Sequence, residues 1–105
     1  MEGYRAIVYY YFKKGMEDSG LKFIENELVK KAKSMGCHGV ELWQNEKDHS
    51  QLIGIGYWNS IEEARQFQSH WESKEKELLK YCIKAPHHEF FKVRSTYTEK
   101  SRRAA

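Results

Sequence analysis

Residues 52–71 read LIGIGYWNSIEEARQFQSHW, and the two halves of this stretch obey different periods. Successive strand residues point to opposite faces, so Ile53, Ile55 and Tyr57 make one continuous apolar face. Leu52, Gly54, Gly56 and Trp58 make the other, with two gaps where side chains would stand. Glycine weakens a strand and marks a place where something else comes close to the backbone. Either a tightly packed helix or a ligand cavity roofed by Trp58 answers to that description. The second half opens on Ser60 with Glu63 three residues later. That is a capping box, in which hydroxyl and carboxylate reciprocally satisfy free amide donors. Ala64, Phe67 and Trp71 then recur at helical spacing and predict an apolar stripe facing the sheet. His70 lies beside that stripe, where a histidine is most simply a partly exposed, hydrogen-bonded side chain.

Outward from this centre, residues 4–12 (YRAIVYYYF) are rich in β-branched and aromatic side chains and predict a strand. Ala6, Val8, Tyr10 and Phe12 share one face, Ile7, Tyr9 and Tyr11 the other. From about 17 to 35 the period lengthens: Leu21, Ile24, Leu28, Ala32 and Met35 form a helical stripe, and Gly36 follows as a helix-ending glycine should. Residues 39–44 predict a second strand, with Val40 and Leu42 on one face and Glu41 and Trp43 on the other. The polar run 45–50 supplies a hairpin connection. Beyond Trp71, residues 72–76 are wholly polar, which predicts a bend near Ser73 before a helical stripe resumes to about Ile83. Pro86, the sole proline, separates that helix from a last strand over 87–97. Residues 1–98 thus read as one domain and 99–105 as a loose tail.

A chain of 105 residues builds a single core. Its 40% hydrophobic and 31% charged residues suit a soluble globular protein rather than a disordered one. Aromatics reach 14%, a share that favours a packed interface or a flat apolar pocket. The net charge is +3, with its excess in Lys30, Lys31 and Lys33 and in Lys100, Arg102 and Arg103. Such clusters read as a solvated helix face and a frayed end. No apolar run approaches the ~20 residues that span a bilayer, and no signal peptide precedes Tyr4. Cys37 and Cys82 fit neither a metal spacing nor a disulfide framework, so free thiols in the cytoplasm are expected.

The order β-α-β-β-α-β predicts an α+β fold, a four-stranded antiparallel sheet with both helices on one face. The strands nevertheless carry apolar residues on both faces. A homodimer joined sheet to sheet would cover the second one.

With these elements in place, the sequence resembles the dimeric α/β-barrel proteins of the antibiotic biosynthesis monooxygenase type. The resemblance runs from the strand ending at Phe12 to the strand after Pro86 and is carried most by YWNSIEEARQFQSHWES. It implies a ferredoxin-like protomer, dimerisation through the sheets, and a pocket between helices and sheet. Members of this group include cofactor-independent oxygenases of aromatic polyketides and quinols, and haem-degrading enzymes. The haem-degrading branch uses a first-strand asparagine, a tryptophan and an iron-ligating histidine. Those positions fall on Val8, Phe67 and Glu77 here, and His70 would serve only after a change of register. In the cofactor-free oxygenases the chemistry belongs largely to a phenol or quinol that is deprotonated away from water and gives an electron to dioxygen. The resemblance therefore implies a small aromatic or quinol-like ligand and no cofactor or metal. Trp58, Tyr10, Phe67 and Trp71 would wall the pocket, Gly54 and Gly56 would give it room, and His70 would be the base.

Two other function classes share the pattern. RNA-binding recognition domains use the same element order, but stack bases through K/R-G-F/Y-G/A-F-V-x-F/Y on the third strand. QLIGIGYW lacks the basic residue and has isoleucine in place of the aromatics, so no nucleic-acid partner is expected. A dimer that binds a small metabolite without turning it over would satisfy the same residues. No phosphate loop, zinc-ligand cluster or serine nucleophile motif is present. His87 and His88 are adjacent on a strand and face opposite ways, so they cannot chelate one metal together.

Overall fold

The alternating stretch at the start of the chain forms β1 (Tyr4–Tyr11), and β1 lies inside the sheet with a partner on each side. The computed structural model describes residues 3–97, so the charged residues Lys100, Arg102 and Arg103 and the expected tail at 99–105 lie outside the described residues. β2 (Gly39–Gln44) and β3 (Gln51–Trp58) form a hairpin, β4 (His87–Lys92) closes the far edge, and the order is β2-β3-β1-β4. All three pairings are antiparallel. The fold is α+β and ferredoxin-like, as the element order predicts.

The helical layer covers one face. α1 (Glu17–Phe23) continues through a π-helical segment, Ile24–Val29, into α2 (Lys30–Ser34). The hydrophobic pattern of 17–35 predicts helix, and helix forms, but the change of hydrogen-bonding period inside it has no counterpart in that pattern. Gly20 is buried because the helix presses directly on β1: a Cβ there would fall inside contact distance of the Phe12 ring. Gly36, at φ 106°, takes the left-handed conformation that ends the helix. Lys30, Lys31 and Lys33 are solvent-exposed.

α3 (Ile61–Leu78) starts where Ser60 accepts the amide hydrogen of Glu63 at 3.2 Å. The reciprocal half of the predicted capping box is not made among the described residues. Glu63 instead turns its carboxylate against Gly36, leaving Oε1 buried without a partner. The bend predicted near Ser73 is also absent, and α3 runs unbroken to Leu78 before one turn of 3-10 helix, Leu79–Tyr81. Polar residues with high helix propensity carry the stretch through. Lys74 anchors it by reaching Glu27 on the π segment at 3.4 Å and Glu77 at 3.9 Å. The last strand stops at Lys92 rather than near Tyr97 because its partner runs out: Lys92 pairs with Tyr4, the first residue of β1.

The core fills the space between the layers. Tyr10, Phe12, Leu52, Ile24, Leu28, Trp71 and Leu78 form its larger part, and Ala32, Cys37, Trp58 and Ala64 a second part, with Phe67 packed against both. The opposite sheet face carries Ile7, Tyr9, Ile53, Tyr57, Trp43 and Phe91, and no described element covers it. Trp43 is 54% exposed and Phe91 49%. Polar groups are tied down within that face. Tyr9 donates to Glu89 at 3.1 Å, Trp43 donates to Glu41 at 2.9 Å, and the Arg5 guanidinium stacks 4.2 Å above the Tyr57 ring.

Candidate functional site

Strand register makes a depression in the helix-facing surface of the sheet. Gly56 pairs with Ala6 on one side and Val40 on the other, and Gly54 with Val8 and Leu42. Small side chains thus meet in adjacent rows at the middle of the sheet. Over them lie Ile24, Leu28 and Val29 of the π segment, Ala32 of α2 and Phe67 of α3, bordering a partly open cavity of about 40 Å³. That volume suits a few water-sized groups. Both occupants anticipated for the glycine gaps are present in part. The Trp58 indole folds back over Gly56, so that a Cβ there would sit 2.9 Å from Nε1, and the Tyr10 ring leans over Gly54 at 3.3 Å from the same imaginary atom. Between and above these rings the space stays open and is lined almost wholly by apolar groups.

Trp58 is 2% exposed and its ring packs on Phe67 at a centroid distance of 5.6 Å, tilted by 32°. This pair is the aromatic wall. Trp71, equally buried, is not a lining residue: it stands behind Tyr10 and donates its indole N–H to the Tyr10 hydroxyl at 3.3 Å. Burial pushes the Tyr10 hydroxyl well above the ordinary tyrosine range, only partly offset by the bond from Trp71. Of the predicted site residues, the structure therefore gathers Tyr10, Gly54, Gly56, Trp58 and Phe67 around one cavity, with Trp71 supporting them.

His70 does not join them. It is half-buried, with its ring 6.3 Å from that of Phe67, and it is not a lining residue. A second histidine has a more enclosed position. His88, on the helix-facing side of β4, meets Trp71 edge to face at 4.3 Å, and its Nε2 is buried without a partner. Desolvation lowers its pKa, opposed by Glu72 and assisted by His87. Its register opposite Val8 places it on the core side of the sheet, and His87, opposite Tyr9, lies on the open side.

Beside the cavity, a cleft of about 290 Å³ opens between α1 and the β2–β3 hairpin, with Leu42 common to both spaces. Phe12, Leu21 and Leu52 form its floor, and Glu17, Asp18 and Glu25 stand at its edge.

Among solved structures, a monooxygenase of Streptomyces coelicolor in complex with the ligand nanaomycin D superposes with a TM-score of 0.75, at 12% identity over 92% of each chain. An antibiotic biosynthesis monooxygenase gives 0.71, at 16% identity over 86% of this chain and 97% of that one. The fold is that of the antibiotic biosynthesis monooxygenases. A dimeric ferredoxin-like protein from an uncultured marine organism shares it too, with a TM-score of 0.72 and 13% identity over 93% of each chain. No family model and no curated protein matches the sequence.

Within this fold, the arrangement can present the apolar rings of Trp58 and Phe67 to the small part of a molecule that a space of about 40 Å³ admits. It can offer that molecule one hydroxyl, from Tyr10, and Tyr10 is the single ionisable side chain among the cavity-lining residues. No group of three or more metal-ligating side chains gathers among the described residues.

Proposed function

We propose that this chain takes a small aromatic or quinol-like molecule between helices and sheet and oxidises it as a cofactor-independent monooxygenase of the antibiotic biosynthesis type. The supporting observation is the apolar cavity walled by the Trp58–Phe67 pair over the glycine rows of β3. Leu42 borders both the cavity and the adjoining cleft, and its displacement would join the two for a larger molecule. The reaction draws its electrons from the substrate. A quinol and dioxygen give a hydroxyquinone and water: one oxygen atom forms the new ring C–O bond, and the other leaves with the two hydrogens lost from the quinol. Protein groups need only exclude water, orient the ring and promote ionisation. His70, one ring removed from the cavity behind Phe67, is the proposed base.

Two protomers joined through their open sheet faces belong to the same proposal. Trp43 and Phe91 are half-exposed on that face, and burial of such side chains drives association. Glu41 and Glu89 on the same face speak against a polyanionic partner. No described helix is long and apolar enough to cross a membrane. The free, buried thiols Cys37 and Cys82 suit the reducing cytoplasm in which the proposal sets the chain.

One observation favours a second reading, a dimer that binds its ligand without turnover. Tyr10 is the one ionisable residue among those lining the cavity, and a phenol is protonated and no base at neutral pH. Oxygen uptake with a panel of dihydroxynaphthalenes, in protein free of flavin, haem and metal, separates the two. Uptake supports the enzyme, saturable quenching of tryptophan fluorescence without uptake supports the binder, and the absence of both removes the site.

A further inference from the structure

The Tyr10–Trp71 hydrogen bond has only one possible direction. An indole nitrogen donates and cannot accept, so at 3.3 Å the Tyr10 oxygen must be the acceptor. The hydroxyl's own proton is then left over. Tyr10 makes no other side-chain hydrogen bond among the described residues, and it is 3% exposed. Buried donors without acceptors are rare in folded proteins. The tyrosine lines the cavity, and its hydroxyl oxygen lies 3.8 Å from where a Cβ on Gly54, another lining residue, would stand. The unused donor therefore sits at the cavity wall, against space large enough for a water or one ligand atom.

We infer that the Tyr10 hydroxyl, oriented by Trp71, is a specificity-determining hydrogen-bond donor that selects ligands presenting a carbonyl or quinone-type oxygen to β1. The inference rests on the proposed ligand site between helices and sheet, but not on turnover there. Its physical basis is a difference between two ways of emptying the cavity. A carbonyl oxygen that displaces a trapped water reproduces the bond from Tyr10, whereas a purely apolar ligand leaves the donor bare. Trp71 acts through Tyr10 as a positioning residue. By occupying one lone pair of the hydroxyl oxygen, it restricts the rotation that the proton would otherwise have. The raised pKa keeps Tyr10 protonated across the working pH range, so that it serves as a donor and not as a base.

The test compares 1-indanone with indane, two molecules of nearly the same shape that differ in one carbonyl oxygen. Binding to the full chain is followed by titration of protein amide and methyl NMR signals. Wild type is expected to prefer indanone by about tenfold, the value of one hydrogen bond in a buried site. Tyr10→Phe is expected to bring the two affinities within about twofold of each other. Trp71→Phe is expected to reduce the preference while Tyr10 is still present, a change of ratio that a merely structural weakening of the pocket would not produce. Equal binding of both molecules to wild type, or a preference that survives Tyr10→Phe, overturns the inference and leaves the ligand site standing. If neither molecule perturbs signals from the cavity residues, the ligand site falls and the inference falls with it.

Discussion

Adding a single methyl group at Gly56 tests the packing that defines the cavity. A Cβ built there stands 2.9 Å from Trp58 Nε1 and 3.6 Å from Cys37 Sγ, whereas relaxed contacts of this kind lie at about 3.5–4.0 Å. The indole must therefore retreat by roughly half an ångström or more. It has little room to do so, being 2% exposed and packed on Phe67 at 5.6 Å. Overpacking of a filled core costs about 1–3 kcal/mol. Replacing a strand glycine by alanine recovers about 0.5–1 kcal/mol through the lost freedom of the unfolded chain. The net expectation for Gly56→Ala is a loss of about 0–2.5 kcal/mol, centred at about 1 kcal/mol, which lowers Tm by several degrees for a domain of this size. Gly54→Ala is the internal control. Its nearest neighbours are Tyr10 Cε2 at 3.3 Å and Leu42 Cδ2 at 3.5 Å, so the two effects should roughly cancel. Urea unfolding monitored by tryptophan fluorescence gives both numbers. A Gly56→Ala protein more stable than wild type would show that Trp58 does not sit over this glycine and would remove the roof from the site.

The remaining expectations concern the open face, the two histidines and turnover. Ile7→Asp on the uncovered sheet face should dissociate a dimer. A buried side chain of this size contributes about 1.5–3 kcal/mol and occurs twice across a twofold interface, so Kd should rise about 10²–10⁴-fold; light scattering that finds wild type monomeric at tens of micromolar removes the dimer. His88 should make the fold sensitive to mild acid. Because its pKa is lowered in the folded state, the unfolded chain takes up a proton below the usual value near 6.5 that folded His88 refuses, and stability falls as pH drops beneath that value. Denaturation midpoints between about pH 5 and 7 should fall less steeply in His88→Gln, and identical slopes would assign the effect elsewhere. If His70 is the base, His70→Ala should lower oxygen uptake about 10²–10⁴-fold with an unchanged melting curve; a normal rate clears it.

The alternation in residues 52–58 and the spacing of Ala64, Phe67 and Trp71 place β3, α3 and the glycine gaps that face α3, because each follows from which side chains must share a face, while leaving open whether a helix or a cavity fills the gaps. What escapes is whatever depends on a neighbour distant in the chain. β4 ends where β1 runs out of residues to pair, which nothing in the sequence of 87–97 records. The same holds within the site. Tyr10, Trp58 and Phe67 announce themselves as aromatics on core-facing positions, but a periodicity cannot say that Trp71 would stand behind Tyr10 while Phe67 faces the cavity. Nor can it rank His70 against His88, since the distinction lies in Trp71 packing on one of them.

The π-helical segment Ile24–Val29 gives the cavity wall a property that the rest of the helix layer lacks. Each of its hydrogen-bonded rings closes over one residue more than an α-helical turn does, so the segment holds a residue in surplus. Losing one residue there would let the backbone revert to α-helix while α1 and α2 kept their present faces toward the sheet. Ile24, Leu28 and Val29 all line the cavity, and they are the side chains whose positions such a deletion would reset. The roof over the glycine rows is thus hung on a length of chain that can be shortened by one link, and a pocket of different width could arise from this fold by a single codon lost, with both flanking helices still seated where they are.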